Sequence, residues 1–151
     1  MKRSGFKAAV VGISAGAAAG ILGFTFIYAK GGSYLTNNPQ ACANCHVMQS
    51  YYDGWLKSSH RSVAVCNDCH APHDLAGKYW TKAENGFWHS LKFTTGRFPD
   101  NIQIRNVNRR VTEAACLHCH QGIVDAITPF PHTPENITSC VRCHAGAGHG
   151  Q

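Results

Sequence analysis

Every cysteine in this chain belongs to one repeated unit. The 151 residues hold eight cysteines, and they occur as "CANCH" (42–46), "CNDCH" (66–70), "CLHCH" (116–120) and "CVRCH" (140–144). Each unit is C-x-x-C-H, two thiols three residues apart with an imidazole directly after them. That is the attachment signature of a c-type haem, in which both thiols form thioethers to the porphyrin. A zinc site also uses paired C-x-x-C units, but it gives no reason for a histidine immediately after each one. No cysteine is left over for a disulfide. The chain is therefore expected to carry four covalent haem c groups, on Cys42 and Cys45, Cys66 and Cys69, Cys116 and Cys119, and Cys140 and Cys143.

The same feature limits the fold. The units begin at 42, 66, 116 and 140, so both pairs share a spacing of 24 residues around a gap of 50. Equal spacing suggests a two-haem module used twice, about residues 40–72 and 114–149. A domain spanning 31–151 cannot enclose four porphyrins and also build an ordinary protein core, so the macrocycles become the core. The expected fold is a multihaem cytochrome c: a small, mainly α and irregular domain of short helices wrapped around four haems.

Part of the length goes elsewhere. An uncharged run, "AAVVGISAGAAAGILGFTFIYA", extends from Ala8 to Ala29 between Lys7 and Lys30. About 20 apolar residues cross a hydrocarbon layer of ~30 Å, so this is a single transmembrane anchor candidate. A cleaved signal peptide is the competing reading, because Ala17–Ala19 resemble a cleavage site. The apolar run nevertheless continues past them. Lys2, Arg3 and Lys7 precede the span, so residues 1–7 are expected in the cytoplasm and 31–151 outside. Covalent haem attachment is extracytoplasmic in bacteria, which makes the expected location the cytoplasmic membrane with a periplasmic haem domain. The net charge of +6 does not point to nucleic acid. Lys2, Arg3, Lys7 and Lys30 flank the span, and two propionates per haem more than offset the remaining excess.

The link between the second and third units contains "DLAGKYWTKAENGFWHSLKF" (74–93), which reads as a helix despite Gly77 and Gly86. Leu75, Tyr79, Ala83 and Phe87 repeat on one side, and Lys78, Lys82, Asn85, His89 and Lys92 form a polar stripe on another. Trp80, Phe87 and Trp88 give it the aromatic character of a membrane-interface segment. A solvated basic face is the alternative. "TTGRFPDN" closes the segment with turn residues.

Iron ligands follow from counting histidines. His70, His120 and His144 end their units and are expected as proximal ligands; the distal donor sets the potential. His60 in "LKSSH" and His149 in "AGAGHG" are the candidate distal ligands. His132 in "PFPHTP" is a third candidate or a loop residue. His118, inside a motif, is expected at the surface, and His73 after "CHAP" is expected to be structural. The first unit continues into Met48, one of two methionines in the chain. Spacing alone does not choose between His46 and Met48 as its ligand.

The anchor, the four units, "CANCHVM" first, "CNDCHAPH" second and the closing "CVRCHAGAGH" together resemble the NapC/NirT family of tetrahaem quinol dehydrogenases. That family includes the small subunits of cytochrome c nitrite reductases, and the resemblance covers essentially the whole chain. It implies that Met48 ligates haem 1 with His46 displaced, leaving an open face where quinol approaches. It also implies distal roles for His60 and His149. Lys82 matches a lysine at the quinol pocket. His89 stands where some relatives carry an aspartate, so the proton acceptor is the point of departure from the family. Haems 2 to 4 need six donors and these histidines supply five; similar proteins complete the set with a lysine from the partner subunit, with His132 as the in-chain competitor.

The implied function is menaquinol oxidation at haem 1, with electrons passing through four haems to a multihaem nitrite reductase catalytic subunit that makes ammonium. Three other readings remain open. The same quinol chemistry could serve a nitrate or nitric oxide reductase. Haem 1 could itself reduce a small nitrogen oxide, making a self-contained haem enzyme. A soluble multihaem carrier would require signal cleavage and bis-histidine ligation throughout.

Overall fold

A computed structural model describes residues 2–127 and 139–150, and the chain divides into two units, Met1–Thr36 and Asn37–Gln151. The first unit is dominated by helix α1 (Lys2–Tyr28). Its Ser4–Tyr28 stretch of 25 residues has a mean hydropathy of 2.0 and buries none of its apolar window. At ~1.5 Å per residue that stretch is about 37 Å long, enough to cross a ~30 Å hydrocarbon layer. The helix starts at Lys2 rather than at the apolar boundary, because nothing in "KRSGFK" interrupts it. It ends where Lys30 turns left-handed, with φ of 51°, and the Lys30 N–H donates to the Ile27 carbonyl at 3.0 Å. A 3-10 turn over Gly31–Leu35 follows.

The second unit contains α2 (Pro39–Cys42), a 3-10 turn over His46–Met48, α3 (Gln49–Leu56), α4 (Cys66–His70), α5 (Leu75–Thr95), α6 (Asn106–Ile127) and α7 (Cys140–Cys143). Helix α6 is the hub, with α4 and α7 packed against it, while α2 touches α3 and α4. Among the described residues only Ala71, Thr81, Glu113 and Ala115 are buried. The protein core is thus nearly absent, as the sequence led us to expect.

The expectation of short helices fails at α6, which runs for 22 residues. The reason is geometric. C-x-x-C-H sets its groups at i, i+3 and i+4, which share one face of an α-helix. The third unit therefore sits inside α6 without breaking it, and no glycine or proline occurs from Asn106 to Gln121.

Helix α5 forms over the segment read as helical and extends two residues further. Its start is capped by Asp74, whose carboxylate accepts the Gly77 N–H at 2.6 Å. A Cβ at Gly77 would lie 2.8 Å from that carboxylate. The glycine that lowers helix propensity is what lets the cap close. At the other end Gly96 adopts φ of 66°, and the Arg97 N–H closes onto the Lys92 carbonyl at 3.0 Å, a left-handed glycine cap. Thr81 is the buried residue of this helix. Leu75, Tyr79, Trp80, Phe87 and Trp88 are all exposed, so the apolar repeat does not face the rest of its own unit.

Candidate haem centres

The four C-x-x-C-H units take four local forms. Cys42 ends α2, behind an Asn38 cap that accepts the Gln40 N–H at 3.0 Å, and Cys45 precedes the His46–Met48 turn. The second unit is α4 itself, started by Asp68, whose carboxylate accepts the Val65 N–H at 2.9 Å. The third lies within α6, and the fourth is α7 with His144 following. Cys42 hydrogen-bonds with Cys66, and Cys116 with Cys140. Units one and two therefore meet through their first cysteines, as do units three and four.

Two pairs of imidazoles face each other. The Nε2 atoms of His70 and His149 are 3.5 Å apart, with ring centroids 5.8 Å apart. The rings of His60 and His120 have centroids 6.1 Å apart. Metal–imidazole bonds of ~2.0–2.1 Å put two opposed ligand nitrogens about 4 Å apart and their ring centroids about 6 Å apart. The centroid spacings of both pairs match that span, while the His70 and His149 nitrogens, at 3.5 Å, stand closer than two metal bonds would set them. The other nitrogen of each candidate distal ligand is also engaged: His60 Nδ1 meets the Ala147 carbonyl at 3.0 Å and His149 Nδ1 meets the Tyr51 carbonyl at 3.1 Å. A backbone carbonyl on Nδ1–H fixes the tautomer that leaves the Nε2 lone pair free for a metal. Two thiols and an imidazole per unit, with opposed and oriented imidazoles, make a donor set that fits covalent bis-histidine haem.

The remaining histidines sort differently. His73 and His118 stack with centroids 3.9 Å apart, too close for an iron between them. A cavity of about 430 Å³ beside that stack is lined by Ala71, Asp74 and Arg110 but by no cysteine. His144 makes no ring contact with another histidine among the described residues, and His132 lies outside the described residues. In the first unit Met48 is half-buried while His46 is exposed.

The position of His149 depends on a glycine the sequence did not single out. A Cβ on Gly54, in α3, would lie 3.0 Å from the His149 carbonyl oxygen and 3.1 Å from its carbon. Gly54→Ala is expected to destabilise the haem-loaded chain by ~1–3 kcal/mol through overpacking. Gly122→Ala, whose added Cβ meets nothing within 4 Å, is the helical control and should be neutral or stabilising. Thermal unfolding of the two variants side by side checks this, and equal midpoints would remove the role given to Gly54.

Helix α5 brings Lys82 within electrostatic range of the Cys42 sulfur. Desolvation and the Lys78 ammonium push the Lys82 ammonium below its usual value, with Cys42 opposing. His89 stands two turns further along. Desolvation, then the Arg105 guanidinium and Lys92, hold its imidazole below the ordinary histidine range. Arg105 pairs with Glu84, and its guanidinium carbon stands 5.9 Å from the centre of the Trp88 ring. Asn108 donates to Asn85 at 2.9 Å, so the start of α6 is tied to the middle of α5. The sequence reading did not find Arg105 or Glu84. A charge pair made across 21 positions leaves no periodic signal.

A family model described as the N-terminal region of the NapC/NirT cytochrome c family matches residues 2–151. The chain is 32% identical over 139 residues to the cytochrome c-type protein NrfH of Wolinella succinogenes, covering 83% of this chain and 78% of that one. It is 30% identical over 134 residues to the cytochrome c nitrite reductase subunit NrfH of Nitratidesulfovibrio vulgaris, covering 89% and 80%. A crystal structure of the cytochrome c nitrite reductase NrfHA complex bound to the HQNO inhibitor contains a chain that superposes with a TM-score of 0.65 at 28% identity, over 91% of this chain and 90% of that one. From its apolar helix through all four C-x-x-C-H units, the chain belongs to the NapC/NirT cytochrome c family.

Proposed function

We propose that this chain is a membrane-anchored menaquinol dehydrogenase that holds four haem c groups and feeds a periplasmic cytochrome c nitrite reductase catalytic subunit. The observation that carries this reading is α5, which places Lys82 within electrostatic range of Cys42 of the first unit, with His89 two turns on. The NrfH relative named as a nitrite reductase subunit supports the choice of partner. Residues 8–29 would span the membrane, with Lys2, Arg3 and Lys7 on the cytoplasmic side and the haem domain in the periplasm. Exposed Tyr79, Trp80 and Phe87 suit a seat at the membrane interface.

The facing pairs support the ligands of two of the four irons. Met48 would serve the first iron, His70 and His149 the second, and His120 and His60 the third. His144 would hold the fourth, completed by a lysine of the partner subunit or by His132. When bound, these groups supply a row of one-electron sites between a two-electron quinol and the partner. Nitrite reduction to ammonium belongs to the partner.

The protein groups handle the proton and the orientation. Lys82 Nζ donates to a quinol oxygen and favours the charge that develops there. His89, held neutral at pH 7, accepts the hydroxyl proton on an imidazole nitrogen. Arg105 and Lys92 disfavour the imidazolium and so speed its release to the outside. His89 stops accepting protons only when pH falls through its depressed pKa, so the acid limb of kcat/KM should lie below the ordinary histidine value of ~6.5. Arg105→Ala should raise that limb towards the ordinary value, and His89→Ala should remove it with a rate loss of about 10²–10⁴-fold. A pH–rate profile in which neither variant moves the limb would assign the proton to another group.

A further inference from the structure

Glu113 is 6% exposed, and the mechanism above gives it no task. Buried carboxylates are normally paired with a cation, but none pairs with this one among the described residues. Its carboxylate instead accepts the Ser139 hydroxyl at 2.6 Å and the Cys140 N–H at 2.7 Å. It also meets the Cys140 thiol and the Val141 N–H. Together these donors keep it below the usual carboxylate range despite burial. Glu113 lies one turn before Cys116 on α6, and Cys116 in turn touches Cys140. One negative charge, without an ion-pair partner among the described residues, is therefore set in the contact between the third and fourth C-x-x-C-H units.

We infer that Glu113 is a positioning residue for electron output: a fixed carboxylate, buried against the thioether sulfur of the fourth haem and beside that of the third, that lowers the reduction potential of those two groups. The inference rests on the four-haem reading. The physical reason is Coulombic. When one electron arrives, iron passes from ferric to ferrous and the haem loses one unit of positive charge. The carboxylate stays ionised, so no proton enters or leaves there. Its attraction for the ferric form exceeds that for the ferrous form, and low dielectric amplifies the difference. A glutamine would keep one carbonyl oxygen for Ser139 or Cys140 but would turn an N–H₂ towards the other donor, and it would carry no charge.

The test uses the full haem-loaded chain and a spectroelectrochemical titration of each haem, after haem counting by intact mass. Glu113→Gln should retain four haems and raise the reduced-to-oxidised ratio of one or two of them at least tenfold at fixed applied potential, about 59 mV for a one-electron couple. Glu113→Asp should return those values towards the wild type, because the charge is restored. Ser139→Ala keeps the carboxylate and removes one of its donors, so the same haems should shift in the opposite direction. Four haems with unchanged potentials in Glu113→Gln would overturn the inference. Should Glu113→Gln lose its fourth haem, Ser139→Ala decides: a downward shift supports the role and an unchanged potential overturns it. A wild-type chain carrying fewer than four haems would be seen before any variant is titrated, and would remove the cofactor reading and this inference together.

Discussion

Met48→Ala is expected to abolish quinol oxidation while leaving all four haems attached. A loss of about a hundredfold or more corresponds to ~120 mV or more in a one-electron couple, within what a change of axial ligand produces. Attachment needs only the two thiols, Cys42 and Cys45, which the substitution leaves alone. What it removes is the proposed donor on the half-buried side of the His46–Met48 turn. A 3-10 turn completes itself in three residues, so positions 46 and 48 project in different directions. One haem held by Cys42 and Cys45 can then be faced by one of them. Alanine offers no donor, and capture by His46 would exchange a thioether that favours reduced iron for an imidazole that does not. Either way the first centre becomes a poorer acceptor of quinol electrons. The check is quinol-driven reduction against reduction by a chemical donor, with haem number by intact mass. Full quinol activity in Met48→Ala would return the ligand role to His46 and remove the proposed input site.

The second large effect is spectroscopic. His149→Ala and His60→Ala should each convert one haem of four from low-spin to high-spin, and not the same one. The opposed rings make the identity testable by pairs. His149→Ala combined with His70→Ala should still affect a single haem, since both residues are assigned to one iron in the proposed ligand set. His149→Ala combined with His120→Ala should affect two. Coupling of this kind is what double substitutions isolate. Electron paramagnetic resonance with integration of the high-spin signal reads the count directly. Two affected haems in the His149/His70 double variant would separate that pair and undo the ligand assignment.

The C-x-x-C-H units were legible as candidate attachment sites because their chemistry is local: two thiols and an imidazole within five residues. The anchor and α5 were legible for the same reason, through an uninterrupted apolar run and a stripe of period 3.6. His60 and His149 could be picked out as spare donors, but their partners could not. His149 is fixed by Tyr51 across 98 positions and His60 by Ala147 across 87, and nothing in the intervening sequence encodes that closure. Gly54 looks like any helix glycine until the chain end is laid against it. Glu113 reads as one more polar residue on a helix, since its donors at Ser139 and Cys140 arrive from α7. The length of α6, 22 residues, exceeds the short helices expected around four haems, because a C-x-x-C-H unit need not end a helix. Its i, i+3, i+4 spacing suits one.

The most direct test of the functional reading takes the gently solubilised complex, captured through this chain, and supplies reduced menaquinone analogue and nitrite. The account predicts ammonium formation driven by the quinol, with none from the isolated chain. Quinol oxidation coupled only to a different acceptor would leave Lys82, His89 and Met48 in their roles and replace the partner. A complex that is intact and fully haem-loaded but oxidises no quinol would contradict the account at its centre.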